Sequence, residues 1–269
     1  AVARETWLAV GDLGGGDRRD PILLAAPLEL EELLEVFAGQ LTTEDRLEES
    51  GAGRLRSLRL TRLGRLVVRE QVDENPDPAL VAAALADRVR SQGPDSLPWG
   101  EAPASLRERI AFLRAADESW PDLSDAALIA QIDDWLAPIL PGVRELSALK
   151  PDLLDGALRT LVPWDLQRRL GTEAPARWTA PTGNSFAIDY AAEAGPRVDV
   201  RVQEVFGLAD HPTVGGRPIT LSLLSPAHRP IQTTRDLPGF WKGSWKDVRS
   251  DMRGRYPKHV WPEDPAQAE

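Results

Sequence analysis

The stretch Arg197-Val-Asp-Val-Arg-Val202 alternates charged and apolar side chains, and this period of two decides the fold class, because the segment before it runs at the helical period. Phe186, Ile188 and Tyr190 alternate with Ser185, Ala187 and Asp189 just upstream. Ile219, Leu221 and Leu223 form a further strand after the Gly215-Gly216 turn. One apolar and one polar face per strand predicts an antiparallel sheet with a wet side over residues 173–269.

Working back, residues 76–172 read as a helical unit with short, Pro-rich connections. Val81, Leu85 and Val89 share one face, as do Leu106, Ile110 and Leu113. Leu128, Ile129, Ile132, Trp135 and Leu136 follow Ser124-Asp125, either of which can cap a helix. Leu154, Leu158, Leu161 and Val162 precede Pro163, which can open a last short helix to Leu170.

Residues 1–75 read mainly as strand. Thr6 to Val10 and Ile22 to Ala25 flank a glycine-rich loop, Gly11-Asp-Leu-Gly-Gly-Gly-Asp17, and an acidic helix is expected from Leu28 to Phe37. Arg54 to Arg69 reads as two strands joined near Gly64. Arg54 and Arg56 share a parity with Leu58 and Leu60, which a bulge near Ser57 would reconcile. Asp73-Glu-Asn-Pro-Asp-Pro78 supplies the turn that ends the segment. The fold class is therefore α+β: a β-rich segment, a helical middle, and a C-terminal antiparallel β segment ending in a helix.

The 269 residues carry 32 Lys+Arg against 42 Asp+Glu, a net charge of −10, which taken whole argues against a nucleic-acid-binding module. The charge is segregated, however. Residues 54–69 hold six arginines and no acid, giving +6, while residues 235–258 give +4, so the remainder carries −20. An acidic body with two basic islands would repel a nucleic-acid strand everywhere except along a path between or beside them.

Self-contained chemistry is not visible. The glycine loop lacks the Lys-Ser/Thr ending of a phosphate loop and leads into a second strand, so it reads as a hairpin tip. His211, His228 and His259 show no metal-ligand spacing, and there is no Cys. Asp133 and Asp134 are helix neighbours about 100° apart and would not converge on one atom. No Gly-x-Ser-x-Gly elbow occurs. No catalytic or metal-binding residue is assigned. No apolar run spans a bilayer, no signal peptide is visible, and the absence of Cys fits a cytoplasmic protein. The sole Met is Met252, so the chain is expected to begin inside a longer protein.

The second island can be laid out as one helix from Phe240 to Gly254. Trp241, Trp245, Val248 and Met252 form an apolar stripe, and Lys242, Lys246, Arg249 and Arg253 form a basic edge beside it. Gly254 is placed to adopt the left-handed cap before Pro257. Two readings stand side by side. In one, the cations serve the helix dipole and Asp251 pairs with Arg255. In the other, the edge tracks phosphates, with Tyr256, His259 and Trp261 available for base stacking and Lys258 adding charge. The nine Trp, taken singly, read as anchors of cores and turns.

The run Ser225-Pro-Ala-His-Arg-Pro-Ile-Gln-Thr-Thr-Arg-Asp-Leu-Pro-Gly-Phe-Trp-Lys-Gly-Ser-Trp245, with Met252-Arg-Gly-Arg-Tyr-Pro-Lys-His-Val-Trp-Pro-Glu-Asp-Pro265, closely resembles the C-terminal end of the bacterial DEAH-box ATP-dependent helicase family HrpB. Ala180-Pro-Thr-Gly-Asn184, Ile188-Asp-Tyr190, Val202-Gln-Glu-Val-Phe-Gly207 and Leu161-Val-Pro-Trp-Asp-Leu-Gln-Arg-Arg-Leu170 fit the same family in the same order. The resemblance implies the C-terminal region of an RNA/DNA-stimulated ATPase, itself non-catalytic, with ATP and Mg bound by motor domains of the parent chain and no cofactor here. It also implies an OB-like barrel in residues 1–75, which strands of the third segment can complete.

Two functions follow. One is contact with single-stranded nucleic acid, chiefly RNA, through Arg54, Arg56, Arg59, Lys242, Lys246, Arg249, Arg253, Arg255, Tyr256 and Lys258. The other is a structural domain that docks on the motor domains or another protein, with the islands pairing to acids of its own body.

Overall fold

The structure, a computed structural model, describes residues 6–15, 21–50, 54–73 and 75–268. The N-terminal residues 1–5 read for a signal peptide, residues 16–20 of the glycine loop region, and residue 74 of the Asp73–Pro78 turn lie outside them. The chain divides into two compact units, Ala1–Ala84 with Gly142–Glu145, and Leu85–Pro141 with Leu146–Glu269.

In the first unit, β1 (Leu8–Leu13) pairs antiparallel with β2 (Ile22–Pro27), and the Gly14 N–H donates to the Pro21 carbonyl at 2.9 Å. The glycine stretch is thus part of a hairpin. β1 runs on past Val10 because Gly11 is absorbed as a bulge between the Val10 and Asp12 pairs. The acidic helix α1 (Leu30–Val36) follows, closed by a capping box between Glu29 and Glu32.

β3 (Leu41–Glu49), β4 (Leu55–Leu63) and β5 (Leu66–Asp73) form a three-stranded antiparallel meander in the order β3-β4-β5. Gly64, at φ +57°, makes the β4–β5 turn that a side chain would strain. The expected bulge near Ser57 is absent: β4 pairs with β3 in unbroken register, and the shift lies opposite Thr61 and Arg62, where Val68 is the extra residue on β5. The parity conflict disappears because Arg56 and Arg62 are half-buried at the ends of the face whose centre is buried Leu58 and Leu60. Leu55 begins β4 by donating its N–H to the Arg144 carbonyl at 3.0 Å, which ties the return segment Gly142–Glu145 to this unit.

The helix α2 (Pro78–Gln92) crosses the division at residue 84. α3 (Glu101–Arg114), α4 (Asp125–Ala130), α5 (Ile132–Trp135), α6 (Pro151–Thr160) and α7 (Trp164–Glu173) then build the helical part of the second unit. The faces drawn from periodicity are the buried ones: Leu85, Val89, Leu106, Ile110, Leu128, Ile132, Trp135, Leu136, Leu154 and Leu158 are all almost fully enclosed. At about 25 cal/mol per Å² of apolar surface, such side chains contribute roughly 1.5–3 kcal/mol each. Ser124 caps α4, its hydroxyl accepting from the Ala127 N–H. Arg109 lies nearly buried and ends α7, donating Nε to the Ala174 carbonyl at 2.5 Å and a terminal nitrogen to Leu170 at 3.3 Å.

The strands of this unit are β6 (Arg177–Thr179), β7 (Ser185–Ala187), β8 (Arg197–Arg201), β9 (Thr213–Val214), β10 (Arg217–Pro218), β11 (Thr220–Leu224) and β12 (Pro230–Thr234). β6–β7 and β9–β10 are short antiparallel ribbons, and β12-β11-β8 is a three-stranded sheet. That sheet is mixed: β11 pairs antiparallel with β12 but parallel with β8, through the long connection that holds a 3-10 turn at Val202–Val205. Each sheet of the molecule lies wholly within one unit.

The helix drawn from Phe240 to Gly254 is two helices, α8 (Leu237–Lys242) and α9 (Trp245–Arg255), separated at Gly243, whose ψ of −101° departs from the helical value. α8 starts at Asp236, whose carboxylate accepts the Gly239 N–H at 2.9 Å. An added Cβ on Gly239 would meet Asp236 Oδ2 at 2.1 Å, so this cap requires glycine. Gly254 is not a left-handed cap. α9 continues through it, and the Tyr256 N–H still donates to Met252 at 2.7 Å before Pro257.

Candidate nucleic-acid interface

Cross-strand pairing decides what the first basic island can do. β3 places Glu44, Asp45 and Glu48 opposite Leu60, Arg59 and Arg56. Arg59 grips Asp45 with two hydrogen bonds, at 2.8 and 3.1 Å. Arg62 reaches Glu44 at 3.1 Å and Arg56 lies 3.9 Å from Glu48. Across the turn, Arg69 lies 3.6 Å from Glu31 of α1. The hydrogen bond from Arg59 holds the Asp45 carboxyl below its ordinary range, and the same contact raises the guanidinium further. Four of the six arginines therefore face acids of their own unit. Arg54 and Arg65 make no ion pair with a described residue.

The second island is mounted on aromatic packing. Trp245, 1% exposed, meets Phe206, Phe240, Trp241 and Trp261 with ring centroids 5.3–6.2 Å apart. The indole N–H groups are all used: Trp241 donates to Leu208, Trp245 to Pro262 and Trp261 to Tyr256, each at 3.0–3.1 Å. Trp261 is consequently buried and presents no face for a base, which corrects that part of the stacking expectation.

The apolar stripe faces inward as drawn, with Trp241, Trp245 and Met252 buried, and this fixes the basic edge in solvent. Two of its cations are engaged. Arg249 donates Nε to the Trp261 carbonyl at 2.9 Å and pairs with Glu263 at 3.0 Å, so it fastens the C-terminal tail onto α9. Arg255 pairs with Asp251 at 2.9 Å across one turn. Lys242, Lys246, Arg253 and Lys258 are exposed and make no hydrogen bond or ion pair with any described residue. Tyr256 is half-buried, its hydroxyl donating to Ser225 Oγ at 3.4 Å, and His259 stands edge-on to it at 6.3 Å.

Other polar clusters of this unit are internal fasteners. Thr182, Asn184 and Arg201 all donate to the Glu204 carboxylate, from Asn184 at 2.9 Å and Arg201 at 2.7 Å. Burial acts to raise the Glu204 carboxyl, but these hydrogen bonds together outweigh it and leave it below its ordinary range. They bind the Ala180–Asn184 turn to the Val202–Val205 turn. His211 accepts the Leu237 N–H on Nδ1 at 3.0 Å and meets the Ile219 carbonyl through Nε2 at 2.7 Å, which assigns the proton to Nε2. A cleft of about 750 Å³ is lined by Glu101, Glu108, Arg159, Arg177 and Arg197 among others. Its arginines are committed to Asp155, Ser185 and Asp199. Among the described residues, no group of three His, Asp or Glu stands close enough to hold a metal ion, and no helix is long and apolar enough to cross a membrane.

Residues 135–265 match the family described as HrpB_C, ATP-dependent helicase C-terminal. The class is thus the C-terminal region of an ATP-dependent helicase. The ATP-dependent RNA helicase HrpB of Escherichia coli (strain K12) is 38% identical over 273 residues, covering 99% of this chain and 34% of that protein. A crystal structure of the E. coli DExH-box NTPase HrpB superposes over the whole chain with a TM-score of 0.69 at 37% identity. A second, of the Escherichia coli DEAH/RHA helicase HrpB, gives 0.59 at 34% identity over 97% of the chain. Over nearly its whole length the chain is thus similar to HrpB helicases, and it spans about a third of the length of these relatives.

Proposed function

We propose that this chain is the non-catalytic accessory region of an ATP-dependent helicase, and that it holds single-stranded nucleic acid, RNA in preference to DNA, along the exposed edge of α8 and α9. The observation that carries this reading is that Lys242, Lys246, Arg253 and Lys258 stand in solvent without acid partners among the described residues of a chain whose net charge is −10. Arg249, Arg255 and Tyr256 support the edge rather than contact the strand. ATP and Mg, in this reading, belong to motor domains of the parent helicase, and the compartment is the cytoplasm.

For the first unit a docking role is favoured. Arg56, Arg59 and Arg62 face acids of their own unit, while Val10, Leu13, Ile22, Leu23 and Leu24 of the β1–β2 ribbon are exposed. We assign that apolar ribbon to contact with the motor domains of the same parent.

The test is a fluorescence titration of the purified chain with single-stranded RNA and DNA at two salt concentrations. Binding that weakens steeply with salt, and that is lost on joint charge reversal at Lys242, Lys246 and Arg253, is expected. Binding and salt dependence unchanged by that reversal would overturn the assignment.

A further inference from the structure

The β11–β12 connection, Ser225-Pro-Ala-His-Arg229, meets the end of α9 at one atom. Ser225 is 2% exposed, and its hydroxyl oxygen accepts both the Arg229 N–H at 3.1 Å and the Tyr256 hydroxyl at 3.4 Å. The turn is closed from within as well: the Ser225 N–H donates to the Arg229 carbonyl and the His228 N–H to the Ser225 carbonyl, each at 2.8 Å. Tyr256 thereby locks the turn to the stretch that carries Arg253, Lys258 and His259.

At the tip of the turn, His228 has φ +57°, the one non-glycine residue in the left-handed region among those described. Glycine would sit there without strain. The conformation presents an exposed imidazole beside Arg229, which is also exposed and makes no ion pair with a described residue. No acid occurs in the sequence from Ser225 until Asp236, so no carboxylate of the loop or of β12 competes for these donors.

We propose that this turn is a second phosphate-contacting element on the path followed by α9: His228 and Arg229 bind the sugar–phosphate backbone of the strand, and Tyr256 is the residue that positions them. The inference rests on the nucleic-acid reading above and adds to it. Two donors of different shape beside each other suit a phosphodiester, which offers two unesterified oxygens. The guanidinium of Arg229 is always cationic and offers only donors, which disfavours a metal ion as the ligand.

The experiment uses the full chain, a fluorescein-labelled oligouridine as probe, polyglutamate as a competitor, and a thermal melt of every variant. Arg229→Gln is expected to weaken oligouridine binding roughly fivefold and to lower the salt slope by about 0.7, the loss of one phosphate on a single strand. His228→Gly is expected to raise the melting temperature, because the backbone strain is removed, while weakening binding about threefold. These opposite signs separate a contact from a structural role. Tyr256→Phe is expected to weaken binding too, and added to the His228→Gly, Arg229→Gln double variant to weaken it no further, since it acts through those two residues.

If His228→Gly and Arg229→Gln both bind as the unaltered chain does, while reversal at Lys242, Lys246 and Arg253 abolishes binding, the turn is not a contact and only this proposal is overturned. If that reversal is without effect, or polyglutamate displaces the probe as well as unlabelled oligouridine does, the nucleic-acid reading fails and this one with it.

Discussion

The two basic islands are chemically alike in sequence and opposite in structure. On β4 each of Arg56, Arg59 and Arg62 looks across or along the ladder at a carboxylate of β3, so its field is spent at short range. On α8 and α9 the apolar stripe is turned inward, and the neighbouring cations are left in water, with only Arg249 and Arg255 paired to acids among the described residues. A run of positive charge therefore says little about anion binding until the partner strand or helix face is known. What differs is the element opposite: β3 supplies an acid every one to three residues, whereas the inward neighbour of α9 is aromatic.

The strongest way to break the contrast is to remove the mount. Trp245→Ala deletes the hub of four ring contacts and should cost about 3–5 kcal/mol of stability, measured by denaturant unfolding. The edge should be lost with α9, while a probe in the β3–β4–β5 meander should report little change. Joint melting of both regions would show that the islands are not independently supported.

Next in size is the charge reversal of Lys242, Lys246 and Arg253 to Glu. Three lost phosphate contacts should weaken single-strand binding roughly 100-fold near physiological salt and lower the salt slope by about 2. The same reversal at Arg59, already held by Asp45, should change binding far less. Equal losses at the two places would erase the distinction drawn between them.

A gain of function sharpens the comparison further. Glu44→Gln, Asp45→Asn and Glu48→Gln together free Arg56, Arg59 and Arg62 without altering side-chain size. If pairing is what silences this island, the variant should bind oligouridine several-fold more tightly, with a salt slope raised by up to about 2. Stability should change little, since exposed ion pairs contribute modestly.

These contrasts also mark what was legible in the sequence. Helix faces such as Val81-Leu85-Val89 and Leu154-Leu158 could be read because burial on one side imposes a 3.6-residue period. β3 could not: Leu41-Thr-Thr-Glu-Asp-Arg-Leu-Glu-Glu49 is polar on both faces, and its strand character comes from pairing with an arginine-rich neighbour. The parallel β8–β11 pairing escaped because parity is the same for either direction, and only the connection settles it. At the site, the cations and the apolar stripe were readable from position alone. The capture of Arg249 by the tail and the burial of Trp261 were not, because both depend on the tail returning onto α9, and the break at Gly243 was not, because the apolar stripe runs on across it.

The smallest expected effect separates the two regions by pH. His211 holds the start of α8 as a neutral imidazole. Burial lowers its affinity for a proton, outweighing the raising effect of the Ile219 carbonyl. Its folded value lies below the ordinary 6.5, so above that pH neither folded nor unfolded chain is protonated and the contribution is complete. As pH falls through 6.5 the unfolded chain takes up the proton first, and stability declines until the folded value is passed. Asp45 behaves differently: its folded value lies below the ordinary 3.8, so its pairing with Arg59 persists as the pH falls to that value and is lost only below it. Between pH 7 and 5, unfolding monitored at the tryptophans around α8 and α9 should show a loss of stability that His211→Asn lessens. Exchange of the β3–β4 amides beside Asp45, whose carboxyl is held below its ordinary range, should be insensitive to pH over that interval once intrinsic rates are removed. A decline of equal size in His211→Asn would mean that other groups set the pH response of this region.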